Sequence, residues 1–164
     1  NLDLKKFSHM VCFFAKSQEP SEVKLNKLLF YADFLHFNKT GYSISGSVYK
    51  AIDYGPVPYN YDILFNYAEG LGLVQKKFVR YSSQIEGKHY VCQDGVDFNK
   101  ELFNETELET LKIISEKFEQ TTATKIKDIS HEEKAWINNN ESKSLIDYNY
   151  AFDLKYLKSS KWKI

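Results

Sequence analysis

Ser21-Glu22-Val23-Lys24-Leu25-Asn26-Lys27-Leu28-Leu29-Phe30-Tyr31-Ala32-Asp33-Phe34-Leu35-His36-Phe37-Asn38 is the stretch that sets the architecture. Pro20-Ser21 supplies a stop followed by an N-cap residue, so a helix is predicted from Glu22 to about Asn38. Leu25, Leu28, Leu29, Ala32 and Leu35 share one face of it, and Phe30, Phe34 and Phe37 share another. A helix apolar on two sides is a central one, covered by neighbours on both. Gly41 is placed to end it.

Before this helix, Leu4, Phe7, Val11 and Phe14 recur at three- and four-residue steps and predict an amphipathic helix from Asp3 to Lys16. After it, Ser47 to Tyr54 reads as a strand with Val48, Ile52 and Tyr54 on one side. Gly55-Pro56-Val57-Pro58 reads as a rigid corner, because each proline lacks an amide donor and restrains its predecessor. A helix from Asn60 to Glu69 follows, ended by Gly70 and Gly72. Leu73 to Tyr81 and Lys88 to Gln93 then form a hairpin around a polar turn containing Gly87, in the manner of a wing.

Asn104-Glu105-Thr106-Glu107 resembles a capping box and opens a helix to about Phe118, with Leu108, Leu111 and Ile114 or Ser115 inward. A loop at Thr121 to Thr124, a short helix at Lys125 to Ser130, a polar turn at Asn138 to Ser142 and a last helix at Asp147 to Leu157 complete the chain. With no internal repeat or linker, the prediction is one α+β domain over residues 1–164. It is a predominantly helical bundle with a small β-sheet and a wing-like β-hairpin.

The 164 residues include 43% hydrophobic and 27% charged side chains, so the chain can bury a substantial core. Net charge is zero, from 22 basic and 22 acidic residues, which argues against a protein that coats nucleic acid. A local basic face is still open to it, with the four lysines from Leu154 to Ile164 as one candidate and a solvated tail as the other reading. Twelve Tyr and twelve Phe raise the aromatic share to 16%. Two readings stand side by side: AT-rich coding, and a recognition surface, where a tyrosine ring buries area while its hydroxyl tolerates water.

Cys12 and Cys92 read as small buried hydrophobes rather than a disulfide or a metal site. The N-terminus carries no signal peptide and no apolar run approaches a membrane span, so a soluble cytoplasmic protein is expected, without a membrane partner. The sequence opens on Asn1 rather than Met, which leaves an upstream domain as an open alternative.

His131 with Glu132 and Glu133 is the one place that resembles a catalytic pair, since a histidine beside a carboxylate can move protons near neutral pH. No nucleophile, phosphate loop or HExxH pair accompanies it. The favoured reading is a turn fixed by His131 and Glu133, with Trp136 plugging the core. No catalytic residue, metal site or cofactor is therefore predicted, His9, His36 and His89 having no partners at ligand spacing. Lys24 and Lys27, three apart, read as a solvated edge or, beside Tyr31, as the border of a partner groove. Tyr54, Tyr59 and Tyr61 surround the proline corner, where a stiff loop can hold a preorganised binding surface or simply pack onto the core.

Three blocks stand in fixed order: Lys24-Leu25-Asn26-Lys27-Leu28-Leu29-Phe30-Tyr31, Tyr54-Gly55-Pro56-Val57, and His131, Glu133 and Trp136 in an H-x-E-x-x-W spacing. In this the chain resembles the Panacea family of SocA-like antitoxin domains, which includes phage-associated proteins. The likeness runs from about Leu4 to Leu157. The family often has proline before the tryptophan, where this chain has Lys134-Ala135.

The resemblance implies a mainly helical α+β domain, not an enzyme, that binds and neutralises a toxin protein, in some members as an adaptor to a protease. It brings Gly55, Pro56, His131, Glu133 and Trp136 forward as motif residues of structural character. The expected partner-binding residues are Lys24, Lys27, Tyr31, Tyr54, Tyr59 and Tyr61. The alternatives are a regulator binding operator DNA through hairpin residues Lys76, Lys77, Arg80 and Lys88, and a phage counter-defence factor.

Overall fold

A computed structural model describes residues 1–82 and 86–157. The middle of the hairpin turn and the basic tail from residue 158 lie outside them. The chain is α+β and predominantly helical, built around α2 (Glu22–Thr40). Ser21 caps α2 by accepting from the Lys24 amide, and Gly41 closes it in the left-handed region at φ +82°. Every side chain from Lys24 to His36 is buried, so the helix has no solvent face along this length. Each buried Leu or Phe contributes about 1.5–3 kcal/mol, which makes α2 the element on which the others condense.

Around α2 pack α1 (Leu4–Gln18), α4 (Glu105–Phe118), α5 (Ala123–Ser130) and two small antiparallel sheets. Asp3 caps α1, and Asn104 and Glu107 form the reciprocal capping box of α4. One sheet has the order β2 (Gly55–Pro58), β1 (Tyr49–Ile52), β5 (Leu145–Ile146); the other pairs β3 (Val74–Arg80) with β4 (Glu86–Cys92). Between the sheets runs α3 (Tyr61–Gly70), and α6 (Lys134–Ile137) carries Trp136.

Three expectations are corrected. Residues Gly55 to Pro58 form an edge strand, with Tyr49 opposite Pro58 and Ile52 opposite Gly55. An edge position accommodates both prolines, whose missing amides would break a central ladder. The inward face of β1 is Tyr49 and Ala51, whereas Val48 and Tyr54 are exposed. The reason is the Tyr49 hydroxyl, which donates to Asp33 Oδ2 at 2.6 Å and Leu29 O at 2.9 Å; a one-residue slip would turn every side chain over.

The last predicted helix is a 3-10 helix, Tyr148–Asp153. It stops because the Lys155 amide donates to Glu133 Oε1 at 2.6 Å instead of to a carbonyl of its own helix.

The hairpin forms as predicted, with its base seated against the core while Phe78 and Tyr81 in its outer part are exposed. Tyr90 N donates to Pro20 O, His89 bridges Ser21, and Val74 and Tyr90 are buried against the core. Cys12 and Cys92 remain free thiols, yet their sulfurs lie 3.7 Å apart across α1 and β4. Burial drives both thiol pKa values up, that of Cys12 to about 12.

Candidate functional site

The three sequence blocks, more than a hundred residues apart at their extremes, meet on one side of α2. Lys27 Nζ donates to Pro56 O at 3.0 Å, joining the helix to the edge strand. Gly55 sits over the lysine stem with φ +107°; a Cβ there would lie 2.5 Å from Lys27 Cε and 2.8 Å from Ser130 Oγ. One turn along α2, Tyr31 OH donates to Glu133 Oε2 at 2.9 Å. Trp136 Nε1 donates to Ile52 O at 2.7 Å, and the His131 ring stacks on the Trp136 indole with centroids 3.8 Å apart and planes 6° from parallel.

The electrostatics follow from this packing. Burial pushes the Lys27 pKa down to about 7, helped by the nearby Lys127 charge. Burial raises the Glu133 carboxyl, opposed by the Lys155 amide and the Tyr31 hydroxyl. Tyr31 itself is pushed well up, by burial and by the facing Glu133. His131 is lowered by burial and by Lys127 and Lys27, and its Nε2 is buried with no partner.

Glu133 spends its two carboxylate oxygens on Tyr31 and Lys155, while His131 stacks on Trp136. The pair that looked catalytic in the sequence is thus divided between two structural contacts. Among the described residues no group of His, Cys, Asp or Glu is placed to hold a metal ion.

Beside this cluster lies a groove of about 950 Å³ between the start of α2, the start of α5 and the β3–β4 hairpin. Tyr54, Tyr61 and Tyr81 line it together with Lys24, Lys127 and Asn26. Of the six residues expected to meet a partner, Lys24, Lys27, Tyr54 and Tyr61 are therefore gathered here, with Lys27 at its floor. Tyr59 stands apart, exposed on the α3 side with its amide bonded to Val48 O. Tyr31 and Lys27 have no accessible surface, which corrects the solvated-edge reading of Lys27. The physical reason is the approach of β2 over α2, which the glycine at 55 permits.

Sequence reasoning missed Asn26, Lys127 and Asp33. Asp33 is buried under four donors: the amides of Ile44 and Ser45, the Ser45 hydroxyl and the Tyr49 hydroxyl. The available signal was a set of polar residues inside an otherwise apolar helix, since buried polar groups persist only with partners. Lys127 gave none, lying on a short helix of ordinary composition.

The family model described as "Antitoxin SocA-like, Panacea domain" matches residues 25–137. The chain belongs to this family. The matched span takes in Lys27, Tyr31, Gly55, Pro56, His131, Glu133 and Trp136, and leaves out Lys24 at the head of the first block. No curated protein and no solved structure matches the chain. Antitoxin-like function in the general sense follows from the family, and in this Panacea domain the motif residues hold its elements together. No helix among the described residues is long and apolar enough to cross a membrane.

Proposed function

We propose that this chain is a cytoplasmic, non-enzymatic antitoxin that neutralises a toxin protein by direct contact, and that the contact includes the groove. The observation that carries the reading is the division of labour around α2. The family's motif side chains are spent on one another, whereas the adjoining groove presents tyrosines and lysines in an open concavity. Tyrosine faces in a preformed site bury area at low entropic cost, which suits recognition of a folded partner. The exposed side of α3 adds Ile63 and Tyr67, with Tyr59 before the helix and Leu71 just after it also exposed, and apolar exposure of this kind marks contact surfaces.

Operator binding by the hairpin draws less support. Lys76 pairs with Glu69 at 3.5 Å and Lys88 with Glu22 at 2.9 Å, so two of the four hairpin cations are already neutralised. A DNA-binding chain would show affinity for its own promoter that falls steeply with salt.

The test is growth rescue. Each neighbouring reading frame is expressed alone and then with this chain; one frame arrests growth and co-expression restores it. Arrest without rescue, or no toxic neighbour, contradicts the proposal. Following the toxin's half-life during rescue separates blocking, which leaves it stable, from delivery to a protease, which shortens it.

A further inference from the structure

Four lysines (Lys24, Lys27, Lys88, Lys127) and two glutamates (Glu19, Glu22) line the groove, and one glutamate, Glu22, is already held by Lys88. Among the described residues the remaining cations form no salt bridge. Lys24 Nζ donates to the Glu119 carbonyl at 3.5 Å, and Lys27 Nζ to Pro56 O at 3.0 Å. Lys127, half-buried, forms no salt bridge among the described residues. Two helices, α2 and α5, begin at this groove, at Ser21 and Thr122, and their first-turn amides add partial positive charge. Gathering like charges in a concavity is unfavourable unless an anion joins them.

An independent observation concerns Asn26, which also lines the groove. It is 3% exposed, and its Oδ1 is buried with no hydrogen-bond donor. A buried acceptor left empty costs about 1–3 kcal/mol, so it points to a donor supplied from outside. The requirement is a ligand that brings a carboxylate and an N–H group together, between aromatic walls.

We propose that the groove receives a carboxylate-bearing peptide segment of the partner protein, its carboxylate between Lys24 and Lys127 and a backbone N–H on Asn26 Oδ1. Tyr54, Tyr61 and Tyr81 flank the peptide. This rests on the antitoxin reading and names the chemistry by which the partner is held. A peptide fits better than a nucleic-acid backbone because the groove is lined by both signs of charge and the whole chain is neutral.

The test titrates ¹⁵N-labelled full-length protein with four probes while its amide resonances are followed. Two carry a carboxylate: acetyl-Ala-Glu-Ala-amide, with an internal one, and acetyl-Ala-Ala-Ala with a free C-terminus. Acetyl-Ala-Gln-Ala-amide is the neutral control, and inorganic phosphate is the fourth probe. One or both carboxylate peptides should shift the Asn26 side-chain amide, and which does so distinguishes a side-chain from a terminal source. The glutamine peptide should bind at least tenfold more weakly. The Lys24→Gln/Lys127→Gln variant, checked for folding by circular dichroism, should lose the response while still giving a native spectrum.

Equal binding of the glutamate and glutamine peptides, or no carboxylate response in the wild type, overturns the proposal. Phosphate binding more tightly than either peptide overturns it in favour of a phosphate site. In the rescue assay, a fully protective Lys24→Gln/Lys127→Gln variant defeats this inference and leaves the antitoxin reading standing. Failure of the wild type to rescue defeats the antitoxin reading itself.

Discussion

Gly55 combines a backbone at φ +107° with van der Waals contact to a buried lysine and a serine, so a methyl group there meets strain and collision together. Gly55→Ala should destabilise the fold by at least about 2 kcal/mol, read as a lower urea midpoint at unchanged slope. Tyr31→Phe should cost about 1–3 kcal/mol, because it strips a hydrogen bond from the buried Glu133 carboxyl.

Lys27 makes a prediction about pH. Its folded pKa of about 7 lies below its ordinary value of 10.5, so between those values the unfolded chain binds the extra proton. Stability from this group therefore rises with pH from about 7 upward, by up to about 1.4 kcal/mol per pH unit. The cost of burying the ammonium is fully present below that range. In Lys27→Met the rise is absent, so wild-type and variant stabilities converge or cross between pH 7 and pH 8.5. Parallel curves would show that Lys27 is not the titrating group. The sequence marked Lys27 and Tyr31 as special but not as buried, because burial is decided by segments outside the helix: β2 over Lys27, and Phe118 and Glu133 against Tyr31.

At the scale of elements, α2 was legible because leucines and phenylalanines occupy two faces, and that pattern leaves a helix no place but the centre. The caps at Ser21 and Asn104 were legible for the same reason of local chemistry. Asn104→Ala should cost about 0.5–2 kcal/mol, seen as a melting shift of a few degrees, since it removes the side-chain oxygen that accepts from the Glu107 amide in the α4 capping box.

What was not legible depended on partners far along the chain. The face of β1 is set by the Tyr49–Asp33 bond, and the 3-10 geometry of 148–153 by the capture of the Lys155 amide by Glu133. The proline strand was missed because a sheet edge and a loop impose the same demands on proline.

For the whole molecule, the three motif blocks form one interlocked cluster, and the surface available to a partner is what they leave uncovered. The groove was half legible: Lys24, Tyr54 and Tyr61 were singled out in sequence, whereas Asn26 and Lys127 join them only through the packing of α5 against α2. On this account, substitutions in the cluster reduce rescue by lowering folded protein, and substitutions in the groove reduce it with stability intact. The most direct measurement is calorimetric titration of the purified chain with the toxin it rescues, wild type against Tyr54→Ser/Lys127→Gln. A saturable complex that the double substitution weakens at least tenfold, with an unchanged melting temperature, is the predicted result. Absence of a complex, or one that the substitution leaves untouched, would contradict neutralisation by contact at this groove.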